Sequence, residues 1–234
     1  MRLNQFISSS GFCSRRQADK LIKEQTVTVN GEYITLGHVI SEGDRVEVDG
    51  QLIEAKENSI YLMLNKPPGV TCTTAGSIEG NIIDFVNYPE RIFPVGRLDK
   101  QSEGLILLTD DGSIVNDLLR EENNEEKDYV VTVDKKITEA FIKGMASGVE
   151  IYNPRKKENT MTKQCKVVQI DDTRFKITLS QGLNRQIRRM CRRFQYTVIQ
   201  LQRVRIKHLL LGELEVGQWR HLSRDEINGL KNDN

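Results

Sequence analysis

Two short stretches of the chain are apolar at nearly every position: Ile60-Tyr61-Leu62-Met63-Leu64 and Leu105-Ile106-Leu107-Leu108-Thr109. Runs of this kind predict strands buried in a sheet. Lys66-Pro67-Pro68-Gly69, just after the first run, cannot continue a sheet and must turn. Tyr129 to Val133 alternates like a strand. Residues 164–170 and 173–180 predict a hairpin about Asp171-Asp172. Residues 113–120 and 138–147 predict helices, the second with Phe141 and Met145 four apart.

The first fifty residues read as a separate small unit. Leu3, Phe6 and Ile7 have helical spacing, and Gly11 ends that helix. Ser14 opens a second helix with Gln17 three residues on, and Ala18, Leu21 and Ile22 give it a buried side. Asn30-Gly31 lies between two strand-like segments, a type I′ hairpin signal. Residues 45–48 predict another strand before an Asp49-Gly50 turn. Residues 54–59 are polar and read as a linker. Arg15 and Arg16 fall in the first turn of the second helix, where the helix dipole disfavours cations. A phosphate on the free N–H groups there would reverse that penalty. The alternative is a pair of solvated arginines.

The chain has 234 residues, 38% hydrophobic, enough to bury a core. No apolar run is long enough for a membrane span, and the N-terminus lacks the apolar core of a secretion signal. Cys13, Cys72, Cys165 and Cys191 are far apart, with no CxxC pair, which argues against a zinc site or disulfide framework and fits a reduced cytoplasmic location.

Net charge is only +1, from 34 basic and 33 acidic residues, but its distribution is uneven. Residues 173–212 contain Arg174, Lys176, Arg185, Arg188, Arg189, Arg192, Arg193, Arg203, Arg205 and Lys207, and no acid. Acids collect elsewhere, as in Glu121-Glu122-Asn123-Asn124-Glu125-Glu126. A basic face on a near-neutral chain suggests a polyanionic partner; a solvated basic helix is the alternative. Residues 184–194 predict a helix with Asn184 as N-cap. Ile187, Met190, Cys191 and Phe194 form its buried stripe, and Cys191 there is a small hydrophobe, not a nucleophile. The arginines Arg185, Arg188, Arg189, Arg192 and Arg193 cover the opposite face and repel one another unless anions neutralise them. That points to phosphate contacts, above all from Arg185, Arg189 and Arg192.

The segment Gly96-Arg97-Leu98-Asp99-Lys100-Gln101-Ser102-Glu103-Gly104 crowds polar groups just before a buried strand. The cations flanking Asp99 would keep it ionised, as a carboxylate nucleophile requires. Spacing alone also allows, and favours, a turn aspartate. The chain has no GxxxxGK[ST] or GxGxxG loop, no HExxH and no Cys/His cluster, and its three histidines are isolated.

Gly96-Arg97-Leu98-Asp99 with 102–109 resembles the catalytic motif of the RNA pseudouridine synthases. Asn65-Lys66-Pro67-Pro68-Gly69-Val70, Lys127-Asp128-Tyr129 and Gln181-Gly182-Leu183-Asn184-Arg185-Gln186-Ile187-Arg188-Arg189-Met190 resemble three further motifs of that family, in the family's order. Residues 1–50 resemble the alpha-L RNA-binding module, through Arg2-Leu3, 14–18 and 27–31. The combination is similar to the RsuA/RluB/RluE/RluF group, and the wording of 181–191 and 201–206 is most similar to the RluF subfamily.

The resemblance implies an α+β fold. An alpha-L RNA-binding module at 1–55 would precede a catalytic domain at 59–234, built on a mostly antiparallel mixed sheet. It implies isomerisation of uridine to pseudouridine without metal or organic cofactor. Asp99 would be the catalytic aspartate, Tyr129 the tyrosine that packs on the target base, and Arg188 the partner of the catalytic carboxylate. Arg97 would help open the RNA helix or hold the flipped nucleotide, and Lys66, Pro67 and Pro68 would shape the site. Arg15, Arg16, Asn184, Arg185, Arg189 and Arg192 complete the expected substrate-binding set. Read alone, Tyr129 is a core aromatic. The expected substrate is 23S ribosomal RNA, free or in a pre-ribosomal particle. The same chemistry on the anticodon region of a tRNA, or a non-catalytic role in ribosome assembly, is the alternative. A monomer is expected, with no membrane role.

Overall fold

The computed structural model describes residues 1–56, 58–119 and 123–231. One residue of the expected linker (Glu57), the end of the expected helix 113–120 (Arg120), two of the acidic run (Glu121 and Glu122) and the last three residues lie outside these. The chain divides into two compact units.

The first unit comprises Met1–Ile60 with Tyr88–Ile92 and Asp110–Gly112. It holds helices α1 (Leu3–Ser9) and α2 (Arg15–Lys23) and strands β1 (Val27–Val29), β2 (Glu32–Tyr33), β3 (Val46–Val48) and β4 (Gln51–Ile53). The strands form one sheet in the order β2-β1-β3-β4. Ser14 caps α2, its hydroxyl accepting the Gln17 N–H at 3.2 Å. Asn30 and Gly31 both have positive φ, 54° and 83°, as the type I′ turn requires. Asp49 and Gly50 repeat the device at 49° and 77° and return the chain as β4, a strand the sequence reading passes over. Leu3, Ile7, Ala18, Ile22, Val27, Val46 and Val48 form the core. The polar stretch after β4 is tied down: Lys56 pairs with Asp110 and Glu90, and Asp110 also accepts the Ile60 N–H at 2.7 Å.

The second unit comprises Tyr61–Asn87, Phe93–Thr109 and Ser113–Asn234. Its elements in chain order are β5 (Tyr61–Lys66), α3 (Ile82–Val86), β6 (Phe93–Val95), β7 (Glu103–Thr109), α4 (Ile114–Leu119) and β8 (Lys127–Val133). There follow α5 (Glu139–Ala146), β9 (Glu150–Asn153), β10 (Glu158–Met161), β11 (Lys166–Gln169), β12 (Arg174–Leu179) and α6 (Gln186–Arg193). The chain ends with β13 (Val198–Ile206), β14 (Leu209–Leu210), β15 (Trp219–His221) and α7 (Arg224–Lys231).

The main sheet runs β11-β12-β8-β13-β7-β5-β15, with β14 on β13 and β6 on β7. Both apolar runs become strands buried at every position, β5 and β7. Among the described strand pairings only β7–β13 is parallel, so the sheet is mixed but mostly antiparallel. That pairing depends on Gly104. With φ +103°, it faces Arg203, and a Cβ there would lie 2.3 Å from the Arg203 carbonyl oxygen. Among the described residues, two apolar clusters join the sheet to its helices. In one, Phe141 and Met145 of α5 and Ile187, Met190 and Cys191 of α6 pack with Val131, Phe175 and Ile177 of the sheet. In the other, Tyr61, Met63, Leu105 and Leu107 pack with Ile114 and Leu118 of α4 and Leu230 of α7.

Candidate active site

The loop between β6 and β7 presents Asp99, and its backbone is fixed on every side. Leu98 is buried and its N–H meets the Cys72 sulfur at 3.4 Å. The Asp99 carbonyl accepts the Ser102 N–H at 2.9 Å, and the Lys100 carbonyl accepts the Gly69 N–H at 2.7 Å. Lys66, at the end of β5, is fully buried. Its ammonium donates to the carbonyls of Pro67 (2.7 Å), Val70 (2.9 Å) and Lys100 (3.5 Å). Burial holds that ammonium below the ordinary lysine range, while Cys72, Asp99 and Glu103 pull the other way. The proline turn that sequence analysis assigned to shaping the site is thus joined to the aspartate loop through one buried cation.

Two arginines face the carboxylate. Asp99 Oδ2 lies 3.9 Å from both Arg188 Nε and Arg185 Nη1. The Arg188 side chain is only 13% exposed. Its Nη1 donates to the Val198 carbonyl (3.2 Å), and its Nη2 to the Gln101 carbonyl and the Ser102 hydroxyl (both 3.3 Å). The Nε is buried and has no hydrogen-bond acceptor. Burial and the neighbouring Arg185 both weaken the Arg188 cation's hold on its proton, and Asp99 opposes them.

Here the sequence reading needs two corrections. Helix α6 begins at Gln186, and its N-cap is Arg185, in the left-handed region at φ 52° with no side-chain cap. Asn184 does not cap. Its carbonyl and side-chain oxygens accept from Arg189 Nε (3.0 Å) and Nη2 (3.3 Å), and Arg189 Nη1 donates to the Tyr152 carbonyl (3.0 Å). The approach to the helix is instead set by Gln186, whose side chain accepts the Leu183 N–H at 3.1 Å and donates to Gln181 at 3.2 Å. Nor do all five arginines cover the solvent face. Arg192 and Arg193 are exposed, but Arg188 turns inward to the Asp99 loop and Arg189 is engaged by backbone oxygens. Cys191 is buried and its thiol is pushed up to about 12, so it carries no thiolate at neutral pH.

Tyr129 on β8 is half-buried against the core, as its strand position suggested, and also lines an open pocket with Asp99. Arg97, Ser102, Gln181, Arg185 and Gln186 line the same pocket. The fold therefore brings together Arg97, Asp99, Tyr129 and Arg185, with Arg188 ion-paired to Asp99. It places Arg192 in an adjoining depression with Arg185 and Arg188. Arg15 and Arg16 lie exposed in the first turn of α2, in the other unit. Ser102, Gln181 and Gln186 were not singled out from sequence. All three lie inside the quoted motifs, and that was the available signal. Among the described residues no three His, Cys, Asp or Glu side chains gather as a metal-ligand set, and no helix is long and apolar enough to cross a membrane.

Comparison with known proteins gives concordant results. Residues 60–193 match the family described as RNA pseudouridylate synthase, and residues 1–54 match the S4 domain. The dual-specificity RNA pseudouridine synthase RluF of Escherichia coli (strain K12) is 50% identical over 229 residues, covering 97% of this chain and 77% of that protein. The ribosomal large subunit pseudouridine synthase B of Bacillus subtilis (strain 168) is 33% identical over 237 residues, covering 98% of this chain and 95% of that one. A crystal structure of a pseudouridylate synthase superposes with a TM-score of 0.71 at 33% identity, covering 98% of this chain and 99% of the other.

Proposed function

Because this chain belongs to the RNA pseudouridylate synthase family and carries an S4 domain ahead of the synthase domain, we propose that it converts one uridine of 23S ribosomal RNA to pseudouridine, in the cytoplasm and as a monomer, with Asp99 as the catalytic carboxylate. The observation that carries the assignment of Asp99 is its geometry: a carboxylate oxygen 3.9 Å from two arginines, in a pocket that Tyr129 also lines.

The reaction breaks the bond from the ribose anomeric carbon to N1 of uracil, turns the base and joins the same carbon to C5. N1 gains a proton and C5 loses one, so the change is an isomerisation. The target base must leave its stack, at a cost of a few kcal/mol. In this reading Tyr129 packs on the extruded base and Arg97 holds its nucleotide. Arg188 aims the Asp99 carboxylate. Its unpartnered Nε and the 3.9 Å gap leave room for a charge-assisted bond to form as substrate closes the site. Arg15 and Arg16 on the S4 domain, and Arg185 and Arg192 beside the pocket, contribute phosphate contacts that offset the flipping cost.

The test maps pseudouridines in RNA from cells lacking the protein, by chemical labelling and reverse-transcription stops, then complements with wild type and with Asp99→Asn. One 23S position is expected to vanish and to return only with wild type. Return with Asp99→Asn removes Asp99 from the chemistry. The name of the Escherichia coli relative, dual-specificity, is the reason to map tRNA in the same samples. Loss confined to tRNA replaces the ribosomal substrate with that one.

A further inference from the structure

Behind the catalytic pocket lies a second one, an open cavity of about 470 Å³. Arg97, Tyr129 and the segment 181–183 line both. Among the described residues its charged lining is Arg97, Lys127, Arg155 and Arg203, with no Asp or Glu.

The strand geometry explains how these cations meet. Lys127 and Tyr129 are two apart on β8, so they share a face of the sheet. In the ladder Tyr129 stands opposite Arg203, and Asp128 opposite Arg205. Two residues apart on a regular strand, Arg203 and Arg205 would point the same way. The register shift between them, at Val204, sends them to opposite faces. Arg205 is paired there, with Asp128 at 2.8 Å and Glu126 at 2.9 Å. Arg203, on the pocket face, is not. It is 4% exposed, its Nε donates to the Leu105 carbonyl, and its Nη2 is buried with no acceptor. Among the described residues Lys127 donates to the carbonyls of Glu125 (3.0 Å) and Leu118 (3.4 Å). Among the described residues no carboxylate lies within ion-pairing distance of either, and the nearby Glu125 is 3.5 Å from Lys207. Arg203 is buried and Lys127 half-buried, and among the described residues neither has an ion-pair partner, an arrangement costly to fold around. Nothing in the catalytic site uses them.

We propose that this second pocket is a phosphodiester subsite, taking an RNA backbone phosphate next to the extruded uridine, with Lys127 and Arg203 inside it and Arg97 and Arg155 at its rim. The proposal rests on the RNA-modifying reading above and adds where one phosphate of that substrate sits. It also accounts for the state of Lys127, which burial and Arg203 push down to about 8 against the opposing pull of Glu125. A bound phosphate would raise it again, so affinity through this subsite falls as pH rises past that value.

The experiment uses the full chain and short target RNAs, each with one methylphosphonate at a single linkage around the target, which removes that linkage's charge. With wild type, one linkage is expected to cost about tenfold in kcat/KM, the scale of one charged contact. With Lys127→Met that linkage's penalty should disappear while the other penalties persist, and Lys127→Arg should restore it. Penalties that are the same in wild type and Lys127→Met at every linkage overturn the subsite. Absence of pseudouridine from wild type on the unmodified RNA would instead overturn the functional reading itself, a separate outcome.

Discussion

Lys66 concentrates the cost and the purpose of this active site in one residue. An ammonium enters the interior fully buried, with no carboxylate in ion-pairing distance among the described residues, and three backbone carbonyls receive it. Two belong to the proline turn and one, that of Lys100, to the residue after Asp99. Replacing it with methionine keeps the volume and removes the donors, leaving carbonyls without partners at roughly 1–3 kcal/mol each, less the relief of a buried charge. Lys66→Met is expected to lower stability by about 2–4 kcal/mol in a denaturant melt. It should also reduce kcat with RNA affinity retained, because the aspartate loop loses its tie. Unchanged kcat in a destabilised variant would confine Lys66 to a structural role. At this scale the sequence was informative where a residue's surroundings are local in the chain. The burial of Cys191 was legible in this way, whereas Asp99 read by spacing alone was a turn aspartate. Lys66 was legible only as a turn residue, because Lys100 lies 34 positions away and spacing does not report that contact.

Elements were legible where apolar and polar residues keep phase. The uniform runs became β5 and β7, and the stripe of residues 187–194 became α6. Strand β13 escaped notice although it lies between the two halves of the sheet. Its register shift at Val204 breaks the two-residue period by which a strand is recognised. Helix α7 escaped too, despite a real capping box: the Glu226 carboxylate accepts the Ser223 N–H at 2.8 Å and the Ser223 hydroxyl accepts the Glu226 N–H at 3.2 Å. The parallel contact of β13 with β7 was invisible because a glycine's neighbour across a sheet leaves no local mark. That contact can be tested. A methyl group on Gly104 meets the Arg203 backbone at 2.3 Å, which a strand in mid-sheet cannot move aside, and the φ of +103° is itself strained for alanine. Gly104→Ala is expected to cost about 4 kcal/mol or more, seen as a large drop in melting temperature or as insoluble protein. A variant with wild-type stability would mean that β7 and β13 are not held this closely.

For the whole molecule the question is how a chain of net charge +1 holds a polyanion. The acid-free block does not form one basic face. Arg174 pairs with Asp171, Lys176 and Arg205 with Asp128, and Lys207 with Glu125. Acids from other segments thus neutralise part of the block, and what survives is the group around Asp99, the end of α6 and the buried Arg203. Composition could not reveal this, since all of these pairs but Arg174–Asp171 join residues far apart in sequence. The same selection separates arginines that sequence analysis treated alike. Arg192 is exposed and Arg189 is occupied by the oxygens of Asn184 and Tyr152. If binding is driven by release of counter-ions, each phosphate contact adds about 0.7–0.9 to the slope of log affinity against log salt. Arg192→Gln is therefore expected to flatten the slope by about that amount. Arg189→Gln should leave it nearly unchanged. The double replacement of Arg15 and Arg16 by Gln should flatten it by about twice as much as one contact. Those two arginines lie on the S4 domain, in a different compact unit from Asp99, so kcat at saturating RNA should hold while KM rises. Titrations of labelled RNA at four or five salt concentrations decide the matter. A slope that Arg189→Gln flattens as much as Arg192→Gln would show that the Arg189 contacts open on binding. A slope indifferent to Arg15 and Arg16 would leave the synthase domain to hold the RNA alone.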